Sequence, residues 1–165
     1  MLITNFQKDV LVDYEAALDQ FFDAETGGVL EPGRQDGAPR FLFTEVTGYA
    51  LLDFLTLHSL TGDARYLQLM ARSADWIRDH GQDSTGGILT RFYFEHDTRP
   101  ELAYTSFSGR RIYAFDTGIC VRGMVAAYRT LGTASYLDSA VRMAEFMIDS
   151  MIDANGEVHA IFDAR

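Results

Sequence analysis

The chain has 165 residues, 47% of them apolar and 13% aromatic, enough for one domain with a real core and too apolar for a disordered segment. Twenty-four acids against fourteen bases give a formal charge of −10. A surface that acidic repels phosphate backbones and anionic membrane faces, so neither nucleic acid nor a membrane is an expected partner.

The start, MLITNFQKDV, has no basic segment followed by an apolar run, so a cytoplasmic protein without a signal peptide is expected. No uncharged apolar run is long enough to span a bilayer. The lone cysteine, Cys120, cannot form an intramolecular disulfide and sits in an apolar run as a small core residue.

From about Phe6 to Phe22 the pattern is amphipathic and predicts an outer helix. A Gly-rich turn follows, Thr26-Gly27-Gly28-Val29-Leu30, and then a long connection to Phe43. From Glu45 to about Leu60 the residues are apolar nearly all round, as a buried helix requires. Gly62 is placed to end that helix and Asp63 to cap the next. The stretch from about Ala64 to His80 is amphipathic, with Tyr66, Met70, Ser73, Ala74 and Ile77 on one face. A second Gly turn, Thr85-Gly86-Gly87-Ile88-Leu89, opens another long connection, up to Phe115. A buried helix is predicted from about Thr117 to Leu131 and a tight turn at Gly132. An outer helix follows, with Tyr136, Ala140, Met143, Ala144 and Met147 inward. The third Gly turn is Asn155-Gly156-Glu157-Val158-His159.

Residues 47–88 overlay 117–158 without a gap at an offset of 70. Thr47/Thr117, Gly48/Gly118, Gly62/Gly132, Tyr66/Tyr136, Arg72/Arg142, Asp83/Asp153 and Gly86/Gly156 are identical pairs. Self-similarity at a fixed period marks a structure stacked from one unit. The reading is an all-α fold in a single domain, residues 1–165, with repeat units about 44–88 and 116–158. Helices run outer, inner, outer, inner, outer, and all long loops lie at the end where inner helices begin. Long loops in compact domains are often functional.

Antiparallel inner and outer helices joined by Gly-Gly turns resemble the α/α toroid. Within it, the run TGDARYLQLMARSADWIRDHGQDSTGGI resembles the six-hairpin glycosidases and the related sugar epimerases. A closed toroid of that type has six hairpins and this chain supplies about two and a half, so an N-terminal part of a longer protein is expected. Prenyltransferases and terpene cyclases share the toroid, but at the position of their Trp this chain has Ile88 and Val158.

The resemblance implies catalytic groups lining a funnel at the long-loop end. Two acids stand there, Glu45 and Asp116, each five residues after an arginine (Arg40 and Arg111) and just before a Thr-Gly. Paired carboxyls suit glycoside chemistry, one protonating a leaving oxygen and the other staying ionised. Unsaturated glucuronyl hydrolases, within the family, use acids from neighbouring hairpins. The two acids are one residue out of register at the 70-residue offset. Helix capping by Asp116 and a dipole role for Glu45 are equally open here.

The loop from Arg91 to Tyr113 mixes aromatic rings with arginines. Rings stack on sugars, and guanidinium forks grip carboxylates. Arg40, Tyr49, Arg91, Tyr93, Arg111 and Tyr113 are therefore the expected substrate-binding residues, and an acidic saccharide is the expected ligand. A solvated hairpin pinned by a few aromatics is the alternative for that loop. Glu95-His96-Asp97 offers ligand atoms, but consecutive residues of an extended run point to opposite faces. With no zinc spacing, phosphate loop, nucleophile elbow or dinucleotide fingerprint, no metal and no cofactor is expected.

The function expected is hydrolysis of a glycosidic bond or epimerisation of a sugar in an acidic saccharide. The alternative is a non-catalytic helical-repeat module that binds a saccharide or a protein. An isoprenoid-processing toroid ranks third, because it needs an apolar, aromatic-lined cavity. Self-association through the open end of the array is a further expectation.

Overall fold

The computed structural model describes residues 5–31, 40–94, 105–106 and 109–163. Helix α1 (Asn5–Phe21) is followed by strands β1 (Val29–Leu30) and β2 (Phe41–Phe43). Next come α2 (Thr44–Thr61), α3 (Arg65–Trp76) and a π-helical turn, Ile77–Gly81. Strands β3 (Arg91–Tyr93), β4 (Thr105–Ser106) and β5 (Gly109–Tyr113) precede α4 (Ala114–Leu131), α5 (Ala134–Met151) and β6 (Ile161–Asp163). The inner helices α2 and α4 lie side by side, α3 packs on α2, and α5 packs on α4. This is the expected all-α array of hairpins, an incomplete α/α toroid.

The C-caps form as the sequence requires, whereas the N-cap position of α3 is Ala64, one residue after Asp63, with no side-chain cap bond. Gly62 and Gly132 both take the left-handed conformation, φ 74°, and return their N–H groups to His58 and Tyr128. The Asp63 carboxylate accepts the backbone N–H of Arg65 at 2.8 Å. His58 is half-buried, with its Nδ1 3.0 Å from the Asp63 carbonyl. The inner stripe of α3 is buried as expected: Tyr66, Met70, Ser73, Ala74 and Ile77. In α5, Tyr136, Ala140 and Met143 are buried, while Ala144 and Met147 are half-buried at the array's edge.

Three details differ from the sequence reading. Helix α4 begins at Ala114, three residues earlier than expected, so Asp116 lies inside the first turn rather than at the cap. The extended run that ends at Tyr113 hands over directly to the helix. The outer helix α3 does not run regularly to His80. It widens into a π turn in which the Gln82 N–H reaches the Ile77 carbonyl at 2.9 Å. That places the Gln82 side chain between Gly86 and α5, where it bonds the Gly86 and Ser139 carbonyls and the Ser139 hydroxyl. Finally, the loop segments pair into two small antiparallel sheets, β1-β2-β3 and β4-β5-β6. Both sit where the inner helices start.

The two inner helices are joined to the preceding Gly turns in the same way. The Thr47 hydroxyl donates to the Phe43 carbonyl at 2.6 Å and accepts the Val29 N–H at 3.0 Å. The Thr117 hydroxyl donates to the Tyr113 carbonyl at 3.0 Å and accepts the Ile88 N–H at 3.3 Å. Between the helices the backbones come close: a Cβ on Gly123 would lie 2.6 Å from the Gly48 carbonyl oxygen. The core runs along this seam through Leu51, Phe54, Met70, Cys120 and Met124. Ile88 is fully buried, whereas its repeat mate Val158 is 56% exposed, with Val141, Ile148, Ile152 and Ile161 also exposed on the same repeat. Among the described residues no helix is long and apolar enough to cross a membrane.

The Gly86 turn is held against the next outer helix. Gly86 has φ 102°, and a Cβ there would meet the Arg142 carbonyl oxygen at 2.7 Å. Gly62 also has a positive φ but open space around it. Gly86→Ala is therefore expected to cost about 2–3 kcal/mol, from backbone strain and overpacking together. Gly62→Ala is expected to cost about 1 kcal/mol from strain alone. Urea unfolding of the two variants checks this, and equal losses would contradict the packing of the turn on α5.

Candidate active site

Glu45 and Asp116 are each carried in the first turn of an inner helix, Glu45 on α2 and Asp116 on α4. Glu45 is half-buried. Asp116 is 6% exposed and accepts a hydrogen bond from the Thr90 hydroxyl at 2.5 Å. Thr90 also spans to the other helix, since its carbonyl accepts the Thr44 N–H at 3.1 Å. One buried threonine thus ties the start of α2 to the acid on α4. Below it, the Cys120 thiol donates to the Thr44 carbonyl at 3.4 Å.

The charge on Asp116 acts on Glu45. Burial raises the Glu45 pKa, and the negative charge of Asp116 raises it further. Burial also raises the Asp116 pKa, opposed by the hydrogen bond from Thr90, which favours the ionised form. The Cys120 thiol is pushed up by burial and then by both acids, so all three groups share one field. Both carboxyls are raised: Glu45 by burial and the Asp116 charge, Asp116 by burial against a donor aimed at its charged form.

The register shift between the acids has a structural consequence. The residue that occupies the place of Glu45 on α4 is Phe115, and it is 61% exposed. Asp116 is turned one residue round its helix, toward Thr90. Phe115 and Thr90 were not identified from the sequence; the ungapped offset of 70 already placed Phe115 opposite Glu45.

The binding residues expected from the sequence divide into groups. Arg91 and Tyr93 lie on β3, next to β2. The Arg91 guanidinium stacks 4.6 Å from the Phe41 ring centre and 5.9 Å from that of Phe43, and donates to the Tyr93 hydroxyl at 3.3 Å. Tyr93 is buried against Phe41, with ring centres 5.1 Å apart. Arg40 enters β2 and lies 4.8 Å over the Phe94 ring. Arg111 and Tyr113 lie on β5, paired with Asp163 and Ile161 of β6. A bridge between Leu89 and Ile112 joins the two sheets. Tyr49 stands apart: it lines a groove between α1 and α2 with Val46, Phe21 and the hydrogen-bonded pair Tyr14–Asp53. Glu95, His96 and Asp97 lie outside the described residues, among which no group of three or more His, Cys, Asp or Glu is placed to hold a metal.

The raised pKa values set a sign for stability. The folded protein holds protons on Glu45 and Asp116 at pH values where the unfolded chain, with ordinary carboxyls near 4, has released them. The contribution of the pair is therefore full below that range and is lost as pH rises through the raised values. Glu45→Gln combined with Asp116→Asn should flatten the fall in stability as pH rises above the ordinary carboxyl range. Urea midpoints across that rise check it; parallel curves for variant and parent would contradict the raised values.

No protein-family model matches the sequence, and no curated protein matches it. Solved structures match its fold. A sugar epimerase from a ruminal bacterium superposes with TM-score 0.68 at 16% identity, covering 93% of this chain and 40% of that one. An unsaturated glucuronyl hydrolase from a Bacillus species gives 0.65 at 19% identity, over 91% and 41%. A family 8 endoglucanase from Klebsiella pneumoniae gives 0.62 at 12% identity, over 86% and 40%. This chain therefore has the fold of the six-hairpin glycosidases, an α/α toroid, and spans about two fifths of the length of the structures it matches.

Proposed function

We propose that the chain is part of a carbohydrate-active enzyme that hydrolyses a glycosidic bond or epimerises a sugar of an acidic saccharide. The observation that carries this reading is the pair of carboxyls on the first turns of adjacent inner helices, close enough for the charge of one to raise the pKa of the other. Glu45 is the proton donor to the leaving oxygen. Asp116, whose carboxylate accepts the Thr90 hydroxyl, acts in its ionised form and activates water or steadies developing positive charge. In hydrolysis the proton leaves with the sugar oxygen and the water oxygen takes its place at the anomeric carbon.

The rim supplies recognition. Arg40 and Arg91, stacked on rings, and Arg111 bring positive charge to the rim for a carboxylate, Tyr113 and the exposed Phe115 offer rings to sugar faces, and the buried Tyr93 holds Arg91 in place. Tyr49, in the separate α1–α2 groove, is left out of this recognition. The neighbours named above act on saccharides by their descriptions, which supports a saccharide ligand here. The exposed stripe Val141, Ile148 and Ile152 is the surface through which the array would associate with itself.

A second reading has one observation in its favour. Asp116 is almost fully buried and already engaged by Thr90, as a purely structural acid would be. On that reading the array binds a saccharide or a protein without chemistry.

Turnover separates the two. Uronate-containing oligosaccharides are incubated with the protein and followed by NMR for bond cleavage or inversion at a sugar carbon. Glu45→Gln and Asp116→Asn are each expected to lower kcat by about 10²–10⁴-fold with KM little changed. Saccharide binding without any turnover in the parent would favour the binding module, and unchanged kcat in both variants would remove the acids from the mechanism.

A further inference from the structure

The face of α4 that carries Phe115 continues one heptad lower to Arg122 and another heptad lower to Arg129. Successive members of such a row stand roughly 10 Å apart along a helix. Arg122 and Arg129 are exposed, and both line a groove of about 390 Å³ between α2 and α4. Its other walls are apolar, chiefly Leu52, Leu55, Val121 and Val125, and among the described residues no carboxylate lines it.

These two arginines differ from the other arginine side chains described. Arg65 pairs with Glu15, Arg78 with Asp75 and Asp79, and Arg72 and Arg142 reach the Ala24 carbonyl and the Gln82 side chain. Arg40 and Arg91 stack on rings, and Arg111 has a partner as well. Among the described residues nothing bonds, pairs with or stacks on Arg122 or Arg129. This holds in a chain with twenty-four acids, where pairing is cheap to arrange. The repeat does not demand arginine there either, because the matching positions on α2 are Leu52 and Ser59. Two cations have been placed on one open face, over an apolar floor, with no acid beside them.

We infer that the α2–α4 groove is an anion subsite in which Arg122 and Arg129 hold two charged groups of an acidic oligosaccharide, spaced about 10 Å apart. The apolar floor takes the hydrocarbon faces of the sugar rings, and Phe115 stands where the chain would pass up to the acid pair. The saccharide class rests on the reading proposed above. The groove extends that reading from the rim to a second place along the ligand.

The test is calorimetric binding of two oligosaccharides of equal length, one with a uronate on every second sugar and one neutral. Each is titrated into the full chain and into Arg122→Gln, Arg129→Gln and the double variant, at low and high salt. The expected result is tighter, salt-sensitive binding of the acidic oligosaccharide, weakened about tenfold in the double variant with the neutral one unaffected. Both side chains are exposed and unpartnered, so the variants should keep the parent's unfolding transition. Acidic oligosaccharide bound equally by parent and double variant, or no better than the neutral one, would overturn the inference. So would tighter binding of a polyglutamate peptide through the same arginines. Glu45→Gln with Asp116→Asn is titrated alongside. If that variant has parental turnover while the arginine variants lose acidic-ligand binding, the catalytic reading fails and the groove stands.

Discussion

The structure depends on one repeated contact, a threonine hydroxyl at the start of each inner helix. Thr47 and Thr117 each donate to a carbonyl four residues back and accept an N–H from the strand that follows the preceding Gly turn. A hydroxyl can do both at once because it has one donor and two lone pairs. The contact fixes where the extended run stops and the helix begins. It therefore fixes which residues occupy the first helical turn, and those residues include both acids. It also binds each unit to the one before it, so the array propagates from one joint. The left-handed glycines of the turns serve this joint by letting the chain press against the next outer helix, as Gly27 does on Arg72 and Gly86 on Arg142.

Much of this was legible in the sequence because it is local. The 70-residue offset, the Gly62 and Gly132 caps and the inner stripe of α3 all follow from backbone rules acting over a few residues. The start of α4 was not legible. Tyr113-Ala114-Phe115-Asp116 reads as an extended run ending in a capping acid, whereas the helix starts at Ala114, with the Thr117 hydroxyl bonded to the Tyr113 carbonyl. The two sheets were not legible either, since their strands are two to five residues long and pair across long loops. The direction of Tyr49 followed the same limit. It is one turn below Glu45, yet the presence of α1 on that side draws it into a different groove.

The candidate site shows how the joint shapes chemistry. A one-residue offset between repeats puts Phe115 where strict symmetry would put a second glutamate, and turns Asp116 to Thr90. Two identical carboxyls in identical places would titrate alike. Glu45 and Asp116 are both raised by burial, but the offset gives Asp116 a hydroxyl donor that opposes the shift and gives Glu45 its neighbour's charge that adds to it, an inequality of the kind acid–base chemistry uses. The arginines follow a similar economy. Most of those described are engaged by acids, carbonyls or rings, while the inner helix α4 presents two to the groove between α2 and α4.

The central claim is that duplication brings Glu45 and Asp116 into one electrostatic field. Carbon-detected NMR titration of the Glu45 carboxyl, in the parent and in Asp116→Asn, measures this directly. The account predicts that Glu45 titrates above the ordinary glutamate range in the parent and moves back toward it when the Asp116 charge is removed. A Glu45 titration that is identical in the two proteins would contradict it, and would leave two acids that merely begin two helices.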